Sequence, residues 1–379
     1  MIYKDFQDRK LSALGFGAMR LPTEGRDPNG AIDEGQVREM TAYAIEHGVN
    51  YFDTAYGYHD GQSEVVMGRV LSQYPRESYY LADKFPGYDL SNMDKVETIF
   101  EEQLSRCGVD YFDFYLLHNV YEKNVDPYMD EKYGIVKYLL EQKKAGRIRH
   151  LGFSAHGRYD TMERFLQRYG EEMEFCQIQL NYLDWTLQDA KAKVELLNQY
   201  QIPVWVMEPL RGGALTKLSD ENAAKLAALR PEESVPAWAF RFLQSVDGVK
   251  MVLSGMSDLE QMKENIKTYE EEKPLTEKEW ETLMEVAGSM LDILPCTACR
   301  YCTAHCPQEL DIPVLLSLYN ETRFANGLIT HMAVDAIPEE KRPNACIGCK
   351  SCEAVCPQQL AIAAAMSDFV EKLNQPAGL

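Results

Sequence analysis

The chain has 379 residues, 59 of them Asp or Glu and 39 Lys or Arg, for a net charge of −20 at pH 7. An acid excess of this size, spread along the chain, repels nucleic acid and anionic membrane surfaces. Residues 1–10 contain no apolar signal core, and no stretch approaches the ~18 apolar residues of a membrane span, so a cytoplasmic protein without a nucleic-acid or membrane partner is expected.

From residue 11 to about residue 270, short β-rich runs alternate with longer stretches of helical period. The predicted strands are 14–17, 50–53, 79–84, 112–118, 148–154, 176–181, 203–207 and 250–254. The helices between them are 36–47, 63–72, 93–107, 132–144, 159–169, 187–200, 234–244 and 258–267. Parallel neighbours need a helical crossover, and eight such units close a sheet, so the pattern predicts an α/β fold of the (β/α)8 TIM-barrel type over residues 1–272. Pro274-Leu275-Thr276 and the helical stretch after it read as a linker and bridging helix over 273–290, with Thr276 as its cap. A second domain is expected over 291–379.

Three predicted strands end in ionisable residues at the face where barrels carry chemistry. Phe52-Asp53-Thr54-Ala55 closes the second, with Tyr58 five residues on. Ala82-Asp83-Lys84 closes the third and Leu116-Leu117-His118 the fourth. A phenol in water holds its proton near pKa 10, so Tyr58 needs a cation to work as an acid at neutral pH. Lys84 supplies it, Asp53 pairs with Lys84, and His118 orients a substrate oxygen.

Together with Leu14-Gly15-Phe16-Gly17-Ala18-Met19-Arg20, Ser63-Glu64, Gly68 and Gly146-Arg147-Ile148-Arg149-His150-Leu151-Gly152-Phe153-Ser154, these residues resemble the aldo-keto reductase family over about residues 1–270. The resemblance implies hydride transfer between NADP(H) or NAD(H) and a small carbonyl or alcohol substrate, with Tyr58, Lys84, Asp53 and His118 as catalytic residues. It also implies a carboxamide grip by Ser154 and Gln177, although Ala155 stands where the family has Asn. Met207 stands where many members stack a tyrosine on the nicotinamide, and it is followed by Glu208, which is read as a partner of Arg211. Gly255, Ser257, Gln261 and Asn265 match the adenosine-phosphate loop, whose helix N-terminus can cradle phosphate. Lys263 is the cation nearest the position of a 2′-phosphate, and the choice between NADP and NAD stays open.

The end of the chain repeats one cysteine pattern. Cys296-x2-Cys299-x2-Cys302-x3-Cys306-Pro307 returns as Cys346-x2-Cys349-x2-Cys352-x3-Cys356-Pro357, the spacing of a bacterial-type ferredoxin with two [4Fe–4S] clusters. Zinc favours paired C-x2-C groups and gives the C-P ending no role. In the crossed pattern of two-cluster ferredoxins, Cys296, Cys299, Cys302 and Cys356 bind one cluster, and Cys346, Cys349, Cys352 and Cys306 the other. A mainly helical ferredoxin-like domain is expected, while Cys107 and Cys176 read as small core residues.

The expected whole is the iron–sulfur branch of the aldo-keto reductases: a nicotinamide-dependent oxidoreductase joined to an electron-transfer domain. A hydride carries two electrons and a cubane exchanges one, so either a flavin in the barrel or an external flavoprotein or ferredoxin partner couples them, or the clusters serve stability or sensing and stay outside turnover. The alternative is an electron-transfer or redox-sensing regulatory subunit whose barrel binds a nucleotide or flavin without turnover.

Overall fold

The computed structural model describes residues 1–27 and 30–377. Its strands are β1 (Tyr3–Phe6), β2 (Arg9–Ser12), β3 (Leu14–Gly17), β4 (Tyr51–Asp53), β5 (Tyr80–Phe85), β6 (Phe112–Val120), β7 (Ile148–Ala155), β8 (Cys176–Gln179), β9 (Val204–Met207) and β10 (Val249–Ser254). Among the described residues, β3 to β10 close a parallel barrel in chain order. Its seam lies where Val252 and Ser254 of β10 meet Leu14 and Phe16 of β3. The crossovers are helical, so barrel strands are covered inside and out. This explains why β5 and β6 are buried along nearly their whole length instead of at alternate residues.

The hairpin β1–β2 escaped the sequence reading. Its strands, YKDF and RKLS, are mixed in polarity, and its turn passes through Gln7 at φ 50° without a glycine to announce it. Phe6 and Leu11 nevertheless belong to the barrel-centre cluster with Tyr51, Phe114, Phe175, Trp205 and Met251. The Phe6 ring lies 5.0–6.4 Å from the rings of Phe114, His150, Phe175 and Trp205.

Gly68 shows how tightly the outer helices pack. A Cβ there would come within 2.4 Å of the Cys107 carbonyl oxygen, where helix Gln62–Leu71 crosses the end of Val96–Cys107. Alanine ordinarily improves a helix interior by up to ~1 kcal/mol over glycine. Gly68→Ala is instead expected to lose about 1–3 kcal/mol through overpacking, as measured by urea denaturation.

The chain divides into two compact units, one of Met1–Tyr182 with Ala190–Trp280, the other of Leu183–Asp189 with Glu281–Leu379. In the first, Thr276 and Glu279 form a reciprocal cap: Thr276 N–H donates to Glu279 Oε2 at 2.7 Å, and Glu279 N–H donates to Thr276 Oγ1 at 3.4 Å. In the second, helices Ile312–Phe324 and Ile362–Leu373 build a core from Leu315, Leu316, Tyr319, Met366 and Phe369. Gln188, from the short insertion after β8, donates to Glu321 at 2.9 Å within that unit.

Candidate functional site

Asp53 is the last residue of β4, Lys84 lies in β5 and His118 in β6, so three neighbouring strands deliver their side chains to one end of the barrel. Tyr58 reaches the same place from a tight turn, Tyr58–Gly61, in which His59 and Asp60 take left-handed backbone at φ 49° and 53°. Lys84 has no solvent exposure. Its Nζ donates to Asp53 Oδ1 at 2.5 Å and to the Thr54 carbonyl at 2.7 Å, and lies 3.4 Å from the Tyr58 hydroxyl oxygen. The His118 ring sits edge-on 6.0 Å from Tyr58 and 5.1 Å from Tyr88. Its Nδ1 is buried without a hydrogen-bond partner.

Burial sets the electrostatics. It pushes the Tyr58 phenol above its usual range, against the pull of Lys84 and helped by Asp53. The cation therefore acts in the expected direction but does not win in the resting site, and Tyr58 keeps its proton. Burial works to lower Lys84, yet its neighbours, Asp53 foremost, outweigh it and hold the ammonium form. Asp53 is raised by burial in spite of Lys84. Burial, then the Lys84 charge and His156, press His118 well below the normal imidazole range, so it is a neutral ring at pH 7. A protonated phenol, a neutral imidazole and a fixed cation together can donate to and orient an oxygen that gains negative charge.

The residues expected to hold a nicotinamide fall into two groups. Ser154 and Gln177 are cross-strand partners on β7 and β8, both buried. Ser154 Oγ accepts from Asn119 N–H at 2.7 Å. Gln177 Nε2 lies 3.6 Å from Met207 Sδ, and its Oε1 is buried without a partner. That orphaned amide oxygen fits a carboxamide N–H, which is what the ring of a bound nicotinamide would present. The second group lies after β10 and is largely occupied by itself. Ser257 N–H donates to Gln261 Oε1 at 2.9 Å, Asp258 caps helix Leu259–Thr268, and Asn265 donates to Ser254 Oγ at 3.1 Å. Gly255 packs against the Arg20 side chain, whose backbone carbonyl accepts from Ser257 Oγ at 3.0 Å.

Other contacts near the site come from far along the chain. Glu208, at φ 55°, lies 3.8 Å from Arg20 Nη2, and its carbonyl accepts from the Arg211 N–H at 3.0 Å. Tyr56 donates to Glu102 under the Arg106 guanidinium, and Tyr128 donates to the His118 carbonyl, so both serve packing. Tyr88 was missed, although an aromatic four residues beyond Lys84 was a readable signal. Asp83, Glu64 and Gln103 were missed as a group because they meet only in three dimensions.

In the second unit, Cys296, Cys299, Cys302 and Cys356 line one cavity, closed by Pro313, Leu316, Leu360 and Ile362. Three thiols of the first run thus meet the last thiol of the second. The two runs also match in form. Cys302 and Cys352 are buried, Cys299 and Cys349 exposed, and the other four intermediate. Left-handed backbone recurs at Ala298 and Gly348, Arg300 and Lys350, and Glu309 and Gln359. Among the described residues, no three Cys, His, Asp or Glu converge closely enough for a single metal ion. Thiols splayed around a cavity suit a larger inorganic cube.

Residues 13–287 match the aldo/keto reductase family, and residues 295–361 match the 4Fe-4S dicluster domain. The chain belongs to the aldo/keto reductase family and carries a 4Fe-4S dicluster domain on its C-terminal side. It is 28% identical over 304 residues to the NADH-specific methylglyoxal reductase of Escherichia coli (strain K12), spanning 68% of this chain and 90% of that protein. To the L-galactose dehydrogenase of Arabidopsis thaliana it is 27% identical over 301 residues, spanning 73% and 90%. The holo form of an aldo-keto reductase from Bacillus halodurans superposes with a TM-score of 0.60 at 24% identity, covering 76% of this chain and 96% of that one. An aldo/keto reductase from Klebsiella pneumoniae in complex with NADP and acetate gives 0.60 at 20%, covering 74% and 93%. At such identities the two structures establish the fold. Among the described residues no helix is long and apolar enough to cross a membrane.

Proposed function

We propose that the barrel interconverts a small carbonyl compound and its alcohol, using NADH or NADPH. The observation that carries this reading is Lys84 Nζ standing between Asp53 and the Tyr58 hydroxyl, with the neutral His118 opposite. Ser154 and Gln177 would hold a nicotinamide, which when bound would supply hydride for the carbonyl carbon. Tyr58 gives the carbonyl oxygen its proton, Lys84 stabilises the phenolate left behind, and Asp53 holds Lys84 in place. His118 lends its unpartnered nitrogen to orient the oxygen before transfer. Lys263, in an exposed pair with Glu260 at 2.7 Å, is the nearest cation for a 2′-phosphate, and turnover with each coenzyme decides between NADH and NADPH.

In the second unit, Cys296, Cys299, Cys302 and Cys356 would hold one [4Fe–4S] cluster, and Cys346, Cys349, Cys352 and Cys306 the other. Bound clusters supply one-electron transfer. We assign no flavin to the barrel, and an external flavoprotein or ferredoxin is the natural exchange partner for single electrons.

The test is anaerobic turnover of NADH and NADPH with a panel of small aldehydes and ketones. Oxidation of the coenzyme is expected in the wild type, falling about 10²–10⁴-fold in Tyr58→Phe, since that variant lacks the proton donor. Met207 and Ala155 weaken the expected nicotinamide grip and favour a second reading, a nucleotide-binding redox sensor. Coenzyme binding without turnover, unaffected by Tyr58→Phe, would select it.

A further inference from the structure

Behind Lys84 lies a set of buried groups that the proposed chemistry does not use. Successive side chains of a strand point to opposite faces, so Asp83 turns away from the interior that Lys84 enters and meets helices Gln62–Leu71 and Val96–Cys107. Asp83 Oδ1 accepts from the Lys84 backbone N–H and from Gln103 Nε2, both at 2.8 Å. The same Gln103 nitrogen reaches the Lys84 carbonyl and Glu64 Oε1, each at 3.0 Å. Tyr115 donates to Gln103 Oε1 at 2.5 Å, so both ends of this buried amide are hydrogen-bonded. Asp83, Glu64, Gln103 and Tyr115 are without solvent exposure.

The charges do not balance if every acid is ionised. Asp53, Glu64 and Asp83 face two cations, Lys84 and Arg106. Arg106 bonds Glu64 at 2.9 Å and is shared with Glu102 at 2.5 Å. The remaining neighbour is the Cys107 thiol, 3.8 Å from Asp83 Oδ2. One Gln103 nitrogen bridges the two acids, 2.8 Å from Asp83 Oδ1 and 3.0 Å from Glu64 Oε1, so the carboxyl groups are close buried neighbours, and such a pair is relieved when one carries a proton and donates to the other. A buried charge with no counterion is neutralised by protonation.

We propose that Asp83 is held as a carboxylic acid donating to Glu64, and that it is a positioning residue for Lys84. It anchors the Lys84 backbone without placing a second negative charge behind the ammonium ion. The positioning role rests on the catalytic reading of Lys84 and Tyr58; the proton itself does not. An ionised Asp83 would favour the phenol over the phenolate and make Tyr58 a weaker donor. Burial and the Glu64 carboxyl push Asp83 well above the usual carboxylate range, in agreement with the geometry.

Asp83→Asn preserves the acid form's pattern, with Oδ1 accepting and Nδ2 donating where the acid hydroxyl did. In the unfolded chain Asp83 ionises near pH 4, so folding at higher pH must take up a proton. A carboxyl whose folded pKa is raised gives stability that is full below the unfolded pKa and lost as pH rises toward the folded one. Relative to wild type, Asp83→Asn should therefore gain thermal stability steadily from pH 5 to pH 8. A relative loss over that range, a flat difference, or a variant that folds at pH 5 and not at pH 8 would overturn the proposal. Wild-type protein at pH 7 should also show the infrared carbonyl band of a buried carboxylic acid, and its absence would overturn the proposal without any variant.

The positioning role is read from the kcat–pH profile of carbonyl reduction. Asp83→Asn, which keeps the acid form's bonds, should retain the wild-type alkaline fall, while Asp83→Leu, which cannot accept from the Lys84 N–H, should lower kcat and shift that fall; a shifted profile in Asp83→Asn or an unchanged one in Asp83→Leu would overturn that role. Wild-type protein with no carbonyl reduction would overturn the proposed activity instead, leaving the stability result to judge the proton.

Discussion

Lys84→Met is expected to destabilise the barrel by about 3–5 kcal/mol and to abolish carbonyl reduction in the same stroke. The stability loss does not come from the methionine, which fits a lysine's volume and is apolar. It comes from Asp53, whose carboxylate stays buried with the partner that stood 2.5 Å away removed. The double variant Lys84→Met/Asp53→Asn removes both charges and should recover most of the lost stability while remaining inactive. Chemical denaturation of the wild type, the two single variants and the double variant measures the coupling, and coenzyme oxidation with an aldehyde measures the activity. A single variant as stable as wild type would mean that Asp53 takes up a proton when Lys84 is gone. Recovered activity in the double variant would remove Lys84 from the chemistry altogether.

The second large effect concerns the crossed cysteines. If Cys356 completes the set of Cys296, Cys299 and Cys302, as the shared cavity supports, then Cys356→Ser with Cys302→Ser strikes one cluster twice and should leave roughly half the iron and labile sulfide. Cys356→Ser with Cys352→Ser strikes both clusters and should leave almost none, and the second unit should lose cooperative unfolding along with the metal. With uncrossed runs the two outcomes exchange places. Iron and sulfide analysis of anaerobically purified protein decides between them.

The barrel was legible because eight strands and eight crossovers leave a period that local sequence carries. Helix Tyr159–Tyr169 was read to the residue, since its apolar face repeats cleanly. Residues 50–53, 79–84 and 112–118 came within two residues of β4, β5 and β6. Strand ends with ionisable residues drew attention to Asp53, Lys84 and His118 for a physical reason, because a charge in an apolar run must have a partner. Glu64 and Gln103 carry no such mark, since on an amphipathic helix a polar residue is the default. Their burial is decided by neighbours some 20 or 40 positions away in sequence. Glu208 was read toward Arg211 because sequence shows near neighbours; Arg20, 3.8 Å from Glu208 in the fold, comes from far along the chain and carried no such signal. The cysteines were the reverse case. Their spacing is the signal, and it already grouped Cys356 with the first run, whose cavity Cys356 lines in the fold.

The hairpin β1–β2 also decides what the barrel is not. Phe6 and Leu11 pack with Tyr51, Phe114 and Trp205 beside the first residues of the strands, so side chains fill that end and, among the described residues, no through-channel runs beneath Lys84 and Tyr58.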